Sequence, residues 1–161
     1  MSEADLQRPA EAAVQAAVQV PVQELVPQRP PMLLLDAVAA WDGETLSCAS
    51  TVRAEWLLVE GDSMPAAALL EVMAQTVAAL YGLQGRARGE PVRVGLLLGC
   101  RALALHVPRV AVGEALIATA RQAYAMDAIA EFHCRVERVG GPCLAEGSLH
   151  VVRGDQEVQA P

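Results

Sequence analysis

The stretch MPAAALLEVMAQ, residues 64–75, decides how this chain folds. Ala, Leu, Met and Gln favour a helix interior, and Pro65 is tolerated in a first turn whose backbone donors are unpaired anyway. Asp62 or Ser63 can cap the start and Gly82 and Gly85 can end it, so the spacing predicts one long helix. A single carboxylate, Glu71, stands where the chain is most apolar. Burying an acid is costly, so the position implies a partner or a purpose. Gln75 lies one turn along on the same face. Either Glu71 is a core acid bonded to Gln75 or backbone, or it sits at a functional site, where ionisable groups in unusual surroundings collect.

Residues 64–83 also approach the ~20 apolar residues that a membrane span needs. They are Ala-rich rather than Leu-rich and carry Glu71 and Gln75 near their middle. A helix buried inside a soluble fold is expected, with no membrane contact.

Outward from the helix the pattern changes period. MLLLDAVAAWDG from Met32 reads as a strand ending in a DG turn, and TLSCASTVRA alternates as its hairpin partner. After RARGEP come four strand-like runs, VRVGLLLGCRALALHV, EALIATARQAYAM, IAEFHCRVERV and CLAEGSLHVVR, the last two joined by a Gly-Gly-Pro turn. Two strands, one helix and four antiparallel strands place the chain in the α+β class, with a sheet curled around a central helix. Residues 1–20, with EAAVQAAVQ spacing and no broad apolar stripe, read as a tail; 21–153 as one domain; 154–161 as a second tail.

Composition narrows the function. The 161 residues suit one domain, and 53% are hydrophobic with only five aromatics, so Ala, Val and Leu build the core. A formal net charge of -7 argues against a nucleic-acid binder, and no aromatics interleave with Lys or Arg. Cys48, Cys100, Cys134 and Cys143 lack metal-ligand spacing such as C-x-x-C, and the acidic start MSEADLQRPAEAA carries no export pattern. Free thiols in a reducing cytoplasm are expected, without metal or cofactor.

Two passages, VPQRPPMLLLD (26–36) and MPAAALLEVMAQ (64–75), resemble the hotdog-fold 3-hydroxyacyl-acyl-carrier-protein dehydratases. In that family a Pro-His-Arg-x-Pro segment leads into the first strand and the central helix reads Met-Pro-Gly, then Glu, Ala, x, Ala, Gln. GLLLGCRALALHVPRVAVGEAL is a looser match, so the resemblance spans about residues 22–153. Within the family the chain is most similar to the dehydratase-like branch associated with aryl polyene and related pigment pathways. The resemblance implies a dimer with a continuous sheet and a thioester substrate delivered on the pantetheine arm of an acyl carrier protein. It also implies a His ahead of the helix and a Glu on it that meet across subunits, with Glu71 as the catalytic acid. Backbone N–H groups at the helix start would face the developing enolate oxygen.

Carried over residue by residue, Glu71, Gln75, Met64 and Pro65 match the motif, and Gln75, Met64, Pro65, Ala66, Leu57 and Trp56 are expected to line the substrate site. The His does not carry over. Counting back from Met64 its position is Leu57, or Trp56 with a loop one residue longer, and residues 1–105 contain no His. Trp56 and Leu57 predict an apolar filling of that space. Gln28 replaces the His of Pro-His-Arg, and Ala66 replaces the glycine that would let substrate approach the helix start. In IAEFHCRVERV and LAEGSLHVV the alternation puts His133 and His150 on the wet face; His106, at a strand end before Pro108, is a candidate for the pocket. Arg86 and Arg88 form a basic island that could steer an acidic carrier protein, or simply a solvated loop.

The expected function is a dehydratase-like subunit that binds acyl thioesters in fatty-acid or polyene biosynthesis. It would be impaired as a homodimer and could act in a heterodimer with a His-bearing paralogue. The alternatives are a hotdog thioesterase using Glu71 and a non-catalytic acyl-binding or structural subunit.

Overall fold

The computed structural model describes residues 19–157. Strands β1 (Ala37–Trp41), β2 (Thr45–Thr51) and β3 (Ser63–Pro65) precede helix α1 (Leu69–Ala87). After it come β4 (Arg93–Leu105), β5 (Arg109–Ala111), β6 (Ala115–Met126), β7 (Ile129–Arg138) and β8 (Cys143–Glu157). Six strands form one antiparallel sheet in the order β1-β2-β6-β7-β8-β4, and β3 pairs with β5 apart from it. Helix α1 packs on β2, β4, β6 and β7, giving the α+β hotdog architecture of a sheet around one helix.

The sheet face follows the alternation in the sequence. In β7, Ala130, Phe132, Cys134 and Val136 are buried while His133 and Arg135 face solvent. Small Ala118 and Ala120 on β6 leave room for the helix, and Phe132 meets Tyr81 of α1 edge-on with ring centroids 5.2 Å apart. The first hairpin turns at Asp42 and Gly43: Asp42 Oδ1 accepts the N–H groups of Glu44 and Thr45, and Gly43 takes φ +101°.

Several boundaries differ from expectation. Residues 32–36 are not strand; Leu34 and Leu35 are buried in an irregular run before β1. Neither Asp62 nor Ser63 caps the helix, because Ser63 belongs to β3 and pairs with Ala111. A 3-10 turn, Ala66–Ala68, intervenes before α1, and no side chain caps either start. Gly82 and Gly85 lie inside α1 rather than ending it. A Cβ on Gly82 would run into the Leu25 backbone, so this glycine serves close approach. The helix ends instead at Gly89, φ +70°, where Glu90 N donates to Gly85 O and Gly89 N to Arg86 O. Arg86 is therefore in the last turn and Arg88 is the C-cap.

Strand β8 continues to Glu157, so 154–157 extend the sheet where a tail was expected. The tail expected over 1–20 falls outside the described residues except for 19 and 20, as do 158–161. Residues 66–87 are long and apolar enough to cross a membrane, but 67% of the most apolar window is buried inside the protein, against its own sheet.

Candidate active site

Glu71 occupies the first turn of α1, half-buried, and its Oε1 accepts a hydrogen bond of 2.8 Å from Gln75 Nε2. Gln75 is fully buried. The same Nε2 donates to Met32 O at 2.7 Å, while Gln75 Oε1 accepts from Leu34 N at 2.8 Å. The network fixes the amide orientation, since an N–H needs an acceptor opposite and a carbonyl needs a donor. Ser50 on β2 closes the other side of Leu34, donating from Oγ to its carbonyl at 2.6 Å. An irregular buried segment would otherwise leave backbone groups unpaired, so Gln75 and Ser50 replace the ladder that residues 32–34 lack. Among the described residues Glu71 Oε2 has no partner, leaving one carboxylate oxygen to engage another molecule.

The start of the helix borders this carboxylate. Ala66 is buried and its N–H donates to Pro108 O at 3.0 Å, tying the turn to the segment between β4 and β5. Without a side-chain cap, the next donors, at Ala67 and Ala68, have no side-chain acceptor. Met64 is buried in β3, and Pro65 is half-buried at the entrance to the turn. Upstream, Arg29 folds back on its own segment, with Nη1 donating to Val26 O and Gln28 O at 2.9 and 2.8 Å. Gln28 leaves Oε1 buried without a partner.

The structure brings Glu71, Gln75 and the helix start together, but no histidine joins them. His106 Nε2 is 3.1 Å from Glu146 Oε1, His133 Nδ1 is 3.2 Å from Ser148 Oγ, and His150 Nε2 is 3.2 Å from Glu131 Oε2. His106 therefore faces a carboxylate of β8, not Glu71. Trp56 is buried in the core, whereas its neighbour Leu57 is 66% exposed. The turn at 53–59 explains the split: Trp56 N donates to Arg53 O and Val59 N to Trp56 O, which turns adjacent side chains to opposite sides.

Among the described residues, four cavities, including one of about 440 Å³ beside Trp41, Tyr81 and Arg153, are lined without Glu71. Arg153 lies 5.2 Å above the Tyr81 ring, and burial pushes the Tyr81 hydroxyl pKa up despite that positive charge. Arg86 pairs with Glu24 at 2.9 Å, and Arg88 grips both oxygens of Glu90 at 3.0 and 3.1 Å, which holds the Glu90 carboxyl below its ordinary range. Sequence reasoning missed Ser50 and the backbone of Met32 and Leu34. Their only sequence signal is the run of apolar residues directly after the Pro-rich segment.

Comparison with known proteins agrees with the fold. The "Dehydratase Heterocomplex ApeI:P" of Xenorhabdus doucetiae contains a chain 25% identical to this one, with a TM-score of 0.79 over 85% of this chain and 93% of that chain. The PaaI protein of the E. coli phenylacetic acid degradation operon is 15% identical, with a TM-score of 0.57 over 72% of this chain and 81% of its own. A hypothetical thioesterase of Streptococcus pneumoniae TIGR4, solved with coenzyme A, is 8% identical, with a TM-score of 0.59 over 97% and 99%. The last two share the fold alone. No curated protein matches the sequence. The model of the ApeP-like family, described as ApeP dehydratase, matches residues 20–160, and the chain belongs to that family.

Proposed function

We propose that this chain is the Glu-bearing, His-lacking subunit of a heteromeric 3-hydroxyacyl thioester dehydratase. The observation that carries this reading is the half-site itself: Glu71 held at 2.8 Å by Gln75, one oxygen unengaged, and every histidine of the chain bonded elsewhere. Dehydration needs two proton transfers. One group removes a proton from the carbon beside the thioester carbonyl, and another protonates the departing 3-hydroxyl; the C–H electron pair becomes the new C=C π bond, the C–O pair leaves with the hydroxyl oxygen, and water departs. Glu71 supplies one of these groups, and a His from the partner subunit supplies the other. The N–H groups at Ala67 and Ala68 offer a place for the charge that develops on the carbonyl oxygen.

Two features support a partner chain. Strand β4 is an edge of the sheet and exposes Leu96, Leu97, Leu98, Leu103 and Leu105, an unprotected apolar edge that a strand from another subunit would pair and cover. The 25%-identical neighbour is itself part of a dehydratase heterocomplex. The substrate in this reading is an acyl chain on the pantetheine arm of an acyl carrier protein, in fatty-acid or polyene assembly in the cytoplasm. Arg86 and Arg88 are exposed, and their present ion pairs are worth little in water, so carboxylates of a carrier could displace Glu24 and Glu90.

The test is incubation of the chain, alone and with the His-bearing hotdog subunit of the same genome, with 3-hydroxyacyl and saturated acyl carrier proteins, read by mass spectrometry. Enoyl product formed only by the pair supports the proposal. Free thiol released by the chain alone would make it a thioesterase, and tight carrier binding without turnover by the pair would make it a non-catalytic acyl-binding subunit.

A further inference from the structure

We propose that His106, Cys143 and Glu146 form a binding site for a divalent transition metal ion, Zn(II) in the first instance. Each offers one donor atom, a ring nitrogen, a thiol sulfur and a carboxylate oxygen, and the three atoms all lie within 4.8 Å of one another. Tetrahedral zinc with bonds of about 2.0–2.3 Å separates its ligands by roughly 3.3–3.8 Å, so small rotations of three partly exposed side chains close the site. Mixed N, S and O donors suit zinc rather than calcium or magnesium, which take oxygen.

The backbone presents these donors together for a specific reason. In a regular strand, residues three apart point to opposite faces. The β7–β8 register shifts between Val136 and Glu137, paired with Ala145 and Cys143, so Leu144 and Ala145 are both buried and Cys143 and Glu146 share the outer face. His106 reaches the same point because its N–H donates to Leu144 O at 2.8 Å, continuing the β4–β8 ladder one residue past the end of β4. The His106–Glu146 contact of 3.1 Å already aligns two of the three donors. The Cys143 thiol has only a weak contact to Ala145 O at 3.4 Å to give up.

On binding, Cys143 loses its proton to solvent and the metal takes the thiolate, leaving a fourth position for water or an outside donor. The ion would pin the end of β4 to β8. That point lies two residues before Pro108, whose carbonyl holds Ala66 at the helix start.

The test is titration of the reduced, metal-free full chain with Co(II) followed by Zn(II), with absorption and thermal melting as readouts. A thiolate-to-cobalt charge-transfer band that saturates at one ion per chain and is bleached by Zn(II) is expected. Cys143→Ser should abolish the band, Cys100→Ser should leave it, and His106→Ala should weaken Co(II) binding more than about tenfold. Zn(II) should raise the melting temperature of the parent chain and not that of Cys143→Ser. Absence of the band, its survival in Cys143→Ser, or unchanged affinity in His106→Ala would each overturn the site. None of these readouts depends on dehydratase activity.

Discussion

Gln75 Nε2 lies 2.8 Å from Glu71 Oε1 and 2.7 Å from Met32 O, so one amide nitrogen holds both the acid and the chain segment that precedes the sheet. Gln75→Leu keeps the shape but leaves Leu34 N–H and Met32 C=O buried without their partner. Urea unfolding should show a loss of about 2–4 kcal/mol. Glu71→Gln, whose amide oxygen still accepts from Gln75, should stay within about 1 kcal/mol of the parent.

The leucines of β4 should set assembly. Leu96 and Leu98 are each 58% exposed on the unpaired edge. The double variant Leu96→Glu with Leu98→Glu should keep the parent circular dichroism and sediment as a monomer, with or without the partner subunit. Unchanged association would remove β4 as the interface.

The two glycines of α1 should respond oppositely to alanine. Gly82 abuts the Leu25 backbone, so Gly82→Ala should cost about 1–3 kcal/mol. At Gly85 the nearest atoms to a new Cβ are 3.8 Å away, ordinary contact, and Gly85→Ala should gain up to about 1 kcal/mol from helix propensity. Parallel thermal melts check both.

Burial pushes the thiols of Cys48 and Cys134 up to about 12. In the unfolded chain they ionise from about pH 8.5, so above that pH the native state holds more protons than the unfolded one. Their contribution to stability is complete below about pH 8.5 and is lost as pH rises toward 12, by roughly tenfold in the folding constant per pH unit and thiol. Unfolding followed across pH 8–11 should show this fall, and Cys48→Ala with Cys134→Ala should flatten it. At pH 8, iodoacetamide should label Cys100 and Cys143 before the buried pair.

The sheet around one helix was legible because one helix of Ala, Leu and Met among period-2 strands admits few layer arrangements, and β7 alternates residue by residue; the hotdog family itself was legible only through the resemblance of residues 26–36 and 64–75. Glu71 and Gln75 were legible as a pair four residues apart on one helical face. The anchor of Gln75 was not: Met32 and Leu34 lie more than 40 positions away, and residues 32–36 read as strand because their apolar run has no period to show it is irregular. The ends of α1 misled for a related reason, since Gly82 matches a helix stop in composition while its role is contact with Leu25. The grouping of His106, Cys143 and Glu146 depends on a register shift in β8, which strict alternation hides.

The most direct measurement is the rate of enoyl formation by the reconstituted pair carrying Glu71→Gln in this chain. Loss of roughly 100-fold to 10,000-fold relative to the parent pair, with assembly intact by sedimentation, is expected for a positioned proton-transfer group. A parent-like rate would contradict the assignment of Glu71 to the shared site.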